Sequence, residues 1–277
     1  MISARNRSSN QAGMLTTAET ALWNKRIISY PNGANAMVTP SNYKIATVTP
    51  LELLGPLNDT ERKYAPSKIF TTGPMKLPLP KPRAAIIGSR KASERGLATA
   101  ARITKTLTDH EVVIVSGLAE GIDTMAHETA ISEGGKTIAV LGTPLNRTYP
   151  QKNLQLQNEI MKNHLAISQF PIGYPIQRKN FVIRNRTMAL ISNASIIVEA
   201  GDSSGSLHQG WEALRLGRPL FIWKAIVNDS SLSWTRKMIR YGATVLNDPK
   251  QVLEALPSSK GLSEIVLQVP KRAHNAS

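Results

Sequence analysis

Between Gln177 and Thr187 the chain reads QRKNFVIRNRT, in which Arg178, Lys179, Arg184 and Arg186 surround a single aromatic residue, Phe181. No acidic residue occurs between Glu159 and Glu199, so nothing in the sequence neutralises this cluster locally. Cations at this density neutralise phosphates and release their counterions, and an aromatic face stacks an unpaired base at about 1–3 kcal/mol. Phe181 as a core side chain is the other reading. Three more segments could meet an anion. In Gly88-Ser89-Arg90-Lys91 a tight turn carries a hydroxyl and two cations. In VSGLAEGIDTMAH, the glycines of Ser116-Gly117 and Gly121 permit close backbone approach, and the N–H groups at the start of a following helix can bind an anion. Gly205-Ser206 is either a second such cradle or only the start of a helix carrying Leu207, Trp211 and Leu214. Asp123 and His127, at i and i+4, are either a base and its orienter or a helix-end carboxylate and a packed imidazole.

These residues need elements to position them. Short aliphatic runs recur from residue 84: AAIIG (84–88), VVIVSG (112–117), TIAVLG (137–142), LAISQF (165–170), SIIVEA (195–200), PLFIW (219–223) and ATVL (243–246). Their starts lie 24 to 30 residues apart, the spacing of strand–helix units. The expectation is an α/β fold, an open, doubly wound, mostly parallel sheet with helices on both faces. Ligands of such sheets bind beyond the carboxyl ends of the strands, near the point where strand order reverses. Most of the candidate residues lie in the segments that follow these runs. Neither GxGxxG nor GxxxxGK[ST] is present, so the usual dinucleotide and nucleoside-triphosphate cradles are not indicated.

The chain divides into residues 1–63, a basic tail with a small irregular or helical region; residues 64–256, carrying the βα rhythm; and residues 257–277, a basic tail. Thr16 and Glu19 have the spacing of a helix-capping box, and GPMKLPLPKPR (73–83) predicts a stiff, extended connector. Lys and Arg outnumber Asp and Glu by 34 to 19, a net +15 that attracts polyanions. No apolar stretch reaches membrane-spanning length, and the first 30 residues lack the apolar centre of a secretory signal. Cysteine is absent, which excludes disulfides and thiol catalysis, and the five histidines show no paired metal-ligand spacing. A cytoplasmic protein without metal or cofactor is expected.

IIGSRKAS, VSGLAEGIDTMAH, GKTIAVLGTPLNRTYPQKN, FVIRNRTMALIS and VEAGDSSGSL…ALRLGRPLF occur in this order. Together they resemble the DNA-processing protein A (DprA/Smf) family over about residues 64 to 224. The resemblance implies an extended Rossmann-like fold and a non-enzymatic homodimer. It also implies that the protein binds single-stranded DNA during natural transformation and passes it to a RecA-type recombinase. It implies a pocket of Ser89, Arg90 and Lys91, of Arg178, Lys179, Phe181, Arg184 and Arg186, and of Gly205 and Ser206, with Ser116, Gly117 and Gly121 shaping its floor. The competing reading is an enzyme. Nucleotide phosphoribohydrolases of the lysine decarboxylase-like group use similar sheets with a Gly-Gly-x-Gly-Thr-x-x-Glu motif. Here Gln209 stands at the position of that carboxylate, and Glu212 follows within one helical turn.

Overall fold

The structure, a computed structural model, describes residues 43–257. The capping box at Thr16 and Glu19, the N-terminal tail and the C-terminal tail lie outside the described residues. In chain order the first elements are β1 (Ala46–Val48), α1 (Pro50–Leu54), α2 (Asp59–Tyr64) and β2 (Ile69–Thr72). The βα series follows with β3 (Arg83–Ile87), α3 (Glu94–Thr108), β4 (Val113–Ser116), α4 (Ile122–Ser132), β5 (Thr137–Leu141), α5 (Leu154–Asn163) and β6 (Leu165–Ser168). It continues through α6 (Arg178–Ile191), β7 (Ala194–Ile197), α7 (Ser206–Arg215) and β8 (Leu220–Trp223). Last come α8 (Lys224–Val227), α9 (Ser233–Arg240), β9 (Thr244–Leu246) and α10 (Lys250–Ala255).

All seven aliphatic runs are strands of one nine-stranded sheet, ordered β1-β2-β6-β5-β4-β3-β7-β8-β9. Pairing is parallel from β6 through to β9. β3 to β7 are buried at every position, as expected of aliphatic strands covered by helices on both faces. Chain order runs outward from β3 to β6, then returns to β7 on the other side of β3. The segment from β6 to β7, which contains α6, therefore crosses three strands. No other crossover in the parallel series has that reach.

Two strands carry no such signal in the sequence. β1 and β2 add to the sheet antiparallel, with Val48 opposite Ile69 and Phe70 opposite Ser168. They are three and four residues long and partly exposed, so neither shows a full apolar run. Residues 46–48, within the segment set apart above as N-terminal, thus belong to the main sheet. Capping boxes at Thr49–Glu52 and Asn58–Glu61 start α1 and α2. The proline-rich connector is tied down at its end: Leu79 N–H donates to Leu53 O at 2.8 Å, and the buried Arg83 guanidinium donates to the carbonyls of Leu79 and Pro80. Among the described residues, no helix is long and apolar enough to cross a membrane.

His127 sits fully buried in α4, with Nδ1 2.7 Å from Thr137 Oγ1, whose hydroxyl donates to Ile114 O. Burial pushes its pKa down to about 3, and the nearby charges of His164 and Arg184 act in the same direction. The folded state therefore refuses a proton that the unfolded chain accepts near pH 6.5. Stability is unaffected above that pH and falls as the pH drops from about 6.5 toward 3, by up to about 1.4 kcal/mol per pH unit. Urea unfolding between pH 7 and 5 should therefore be steeper in pH for the wild type than for His127→Gln. Parallel profiles would rule this out.

Candidate nucleic-acid interface

The long crossover explains why the cationic cluster reaches the sheet's carboxyl end. The first turns of α6 lie over the end of β5, where Arg184 Nη1 donates to Val140 O at 2.8 Å and the Phe181 ring rests on Gly142. Loops from β3, β4 and β5 meet α6 there and line a small solvent-open cleft. It is lined by Arg90 after β3, by Gly117, Ala119 and Glu120 after β4, by Tyr149 and Pro150 after β5, and by Phe181 and Arg184. The Arg90 guanidinium lies 5.5 Å from the centroid of the Phe181 ring, and the half-exposed Tyr149 ring tilts against the same ring at 5.3 Å. Phe181 is only partly buried, so part of its ring area faces the cleft rather than the core.

A carboxylate holds each of the loops after β3 and β4. Glu199, at the end of the β7 strand run, accepts from Ser93 N–H and Ser93 Oγ, while its backbone carbonyl accepts from Ser89 N–H at 2.7 Å. This fixes the turn that presents Arg90. Asp123, in the first turn of α4, accepts from the N–H groups of Gly117 and Ala119 at 3.1 and 3.3 Å. This differs from the anion cradle expected at this glycine loop, because two of its amides already have an internal anion. The Ile122 N–H is likewise taken, by Ser89 O at 3.2 Å. Gly121 (φ +74°) turns the chain where a side chain would strike that same carbonyl. The loop is therefore a wall and a floor. Asp123 is bonded to the loop and His127 to Thr137, so the two do not form a base and orienter.

Arg184 is only 4% exposed, and its Nε has no hydrogen-bond partner. Burial holds its guanidinium below the ordinary value; Asp123 opposes that shift and Arg90 adds to it. Asp123 is pushed up by burial, with Arg184 and the loop amides pulling the other way. A Cβ on Gly117 would fall 1.6 Å from Arg184 Nη1, so only glycine lets the guanidinium lie along this wall. Two like charges, Arg90 and Arg184, thus face one cleft.

The remaining expected residues spread outward. Ser116 is buried and donates to Ile86 O. Ser89 Oγ accepts from Lys91 N–H, and Lys91, Arg178 and Lys179 are exposed around the cleft loops. Arg186 points to the other face of α6 and pairs with Glu212 at 3.3 Å. Gly205 and Ser206 do not line the cleft. They begin α7, joined to α6 by Asn185 Nδ2, which donates to Gly205 O at 3.0 Å. Glu212, the carboxylate of the enzyme alternative, is held between Arg186 and Arg215. Gln209 is fully buried and donates to Ser195 Oγ. Among the described residues, no group of three His, Asp or Glu side chains could hold a metal ion.

Tyr149, Pro150, Glu120 and Glu199 were not among the expected pocket residues. Lys152, on the same loop as Tyr149, pairs with Glu120 at 2.9 Å on the cleft rim. The signal for this loop was its composition, two prolines and a glycine around Arg147 and Tyr149. Nothing in the sequence signals the reach of Glu199 to Ser93, 106 residues away.

The family model described as DNA recombination-mediator protein A matches residues 54–257. DNA processing protein DprA of Streptococcus pneumoniae is 38% identical over 189 residues, which cover 68% of this chain and 66% of that relative. The chain therefore spans about two thirds of that relative's length. The crystal structure of pneumococcal DprA superposes with a TM-score of 0.66 at 30% identity, covering 86% of this chain and 78% of that one. A Helicobacter pylori DNA processing protein A, whose single-stranded DNA binding mode has been described structurally, gives 0.66 at 25% identity, covering 77% of this chain and 96% of that one.

Proposed function

Because the chain belongs to the DNA recombination-mediator protein A family, we propose that it binds single-stranded DNA in the cleft between Arg90 and Phe181 and delivers the strand to a RecA-type recombinase without acting on it chemically. The observation that carries this reading is the cluster at the cleft of Arg90 over the Phe181 ring with the Tyr149 ring tilted against it. A guanidinium held over an aromatic ring offers a charge for a phosphate next to a face for a base. A base inside a duplex cannot reach that face, so the geometry favours unpaired strands.

In this reading residues 64–256, with β1 added to their sheet, form the binding unit, flanked by residues 1–63 and 257–277. Arg90, Phe181 and Arg184 form its centre. Ser89, Lys91, Arg178, Lys179 and Arg186 meet phosphates further along the strand, as do Gly205 and Ser206 at the start of α7. Ser116, Gly117 and Gly121 shape the floor. The recombinase hand-over, a homodimer and a cytoplasmic setting belong to the same proposal. The family's description as a recombination mediator supports the first of these. The strand-binding mode described for the Helicobacter relative supports DNA as the ligand.

Titration of labelled oligo-dT and of a duplex of equal length, at several salt concentrations, tests the proposal. Single strands should bind more tightly, with log K falling against log [salt] by about 0.7 per phosphate contacted. Equal affinity for the duplex, or binding indifferent to salt, would overturn it.

A further inference from the structure

A second cavity opens beside the cleft, on the same loop and the same crossover. It is open to solvent and is lined by Asn146 and Arg147 from the β5–α5 loop and by Ile172, Gly173, Tyr174, Pro175 and Ile176 ahead of α6. The β5–α5 loop that supplies Arg147 here supplies Tyr149 and Pro150 to the cleft, and the segment that supplies Tyr174 runs directly into the α6 turn bearing Phe181. The two openings therefore share the β5–α5 loop and the segment leading into α6.

We infer that this cavity is a second nucleotide subsite for the same strand, in which Tyr174 stacks an unpaired base and Arg147 meets a phosphate. The inference rests on the strand-binding reading of the cleft. The Tyr174 ring packs at 5.3 Å on the buried Phe170 and remains 37% exposed, as a stacking platform must. Ile172 and Ile176, 51% and 38% exposed, flank it with apolar surface of the kind that covers a sugar or a base edge. No acidic side chain lines the cavity, and Arg178 and Lys179 stand exposed where it meets α6.

Both walls are built in advance. Tyr174 N–H closes a turn onto Pro171 O at 3.0 Å, with Gly173 at φ +86° supplying the left-handed residue. The buried Asn180 side chain donates to Pro175 O at 2.9 Å and pins the segment to α6. Across the cavity, Thr143 Oγ1 donates to Arg147 O at 2.8 Å, and the buried Gln157 side chain donates to Leu145 O at 3.0 Å. A platform fixed before the ligand arrives avoids the ordering cost of a mobile loop.

The test uses the full chain and oligo-dT of increasing length, read by fluorescence anisotropy at constant salt. Tyr174→Ala should bind an oligonucleotide too short to leave the cleft as the wild type does, and bind longer ones about 5- to 150-fold more weakly. Tyr174→Phe should restore the long-strand affinity, and Arg147→Ala should reduce the salt dependence for long strands only. If Tyr174→Ala binds every length like the wild type while Arg90→Ala loses binding, the subsite is refuted and the cleft stands. If Arg90→Ala is also without effect, both fail. An altered oligomeric state of Tyr174→Ala with unchanged DNA binding would assign the segment to a protein contact and overturn the inference.

Discussion

Arg90→Ala weakens binding of single-stranded oligo-dT by about 10- to 150-fold at physiological salt, the range for losing one charge-assisted contact. Phe181→Ala falls in a similar range, because it removes a stacking face worth about 1–3 kcal/mol per base. The two effects are not independent. Arg90 lies 5.5 Å over the Phe181 ring, so each side chain holds the other where the strand needs it. A double variant should therefore lose less than the sum of the single losses, with a coupling of about 0.5–3 kcal/mol. The salt dependence separates their roles. Arg90→Ala should flatten the slope by about 0.7, one single-strand phosphate, whereas Phe181→Ala should leave it unchanged. Binding equal to wild type in both single variants would remove the cleft from consideration.

Arg184→Ala should act chiefly on the fold. The side chain is 4% exposed, donates to Val140 O, and faces the buried Asp123 carboxylate that ties down the Gly117–Ala119 loop. Removing it leaves Val140 O without its buried donor, a change that costs about 1–3 kcal/mol. For a chain of this size the melting temperature should drop by about 5 °C. Arg184→Met paired with Asp123→Asn should recover part of the loss, since both charges then disappear. Arg186→Ala, two residues on and half-exposed beside Glu212, should melt within about 1 kcal/mol of the wild type. Calorimetry decides the matter: an Arg184→Ala variant as stable as the wild type would show that the guanidinium serves only a ligand. A weakened DNA affinity in this variant is meaningful only at a temperature where it remains folded.

Arg184 also marks where residue-level reading and structure part. In the sequence it is one cation among four, indistinguishable from Arg178, Lys179 and Arg186. Helical periodicity then turns successive residues about 100° apart, so Arg184 enters the wall, Asn185 reaches Gly205, and Arg186 faces Glu212. The glycine loop after β4 diverges in the same way. Its sequence invites an anion from outside, but Asp123, six residues after Gly117, supplies one from within.

The aliphatic runs by themselves determined the parallel sheet, because a strand buried on both faces must be apolar at nearly every position. The glycine and cation positions at the ends of those runs fall on one side of the sheet, because loops at the carboxyl ends of parallel strands share it. The antiparallel strands β1 and β2, the carboxylates that fasten the loops after β3 and β4, and the choice of which cation faces the cleft were decided only in three dimensions. The β2 pairing and the Glu199 contact depend on partners about a hundred residues away, Phe70 with Ser168 and Glu199 with Ser93, and local sequence carries no record of a distant partner.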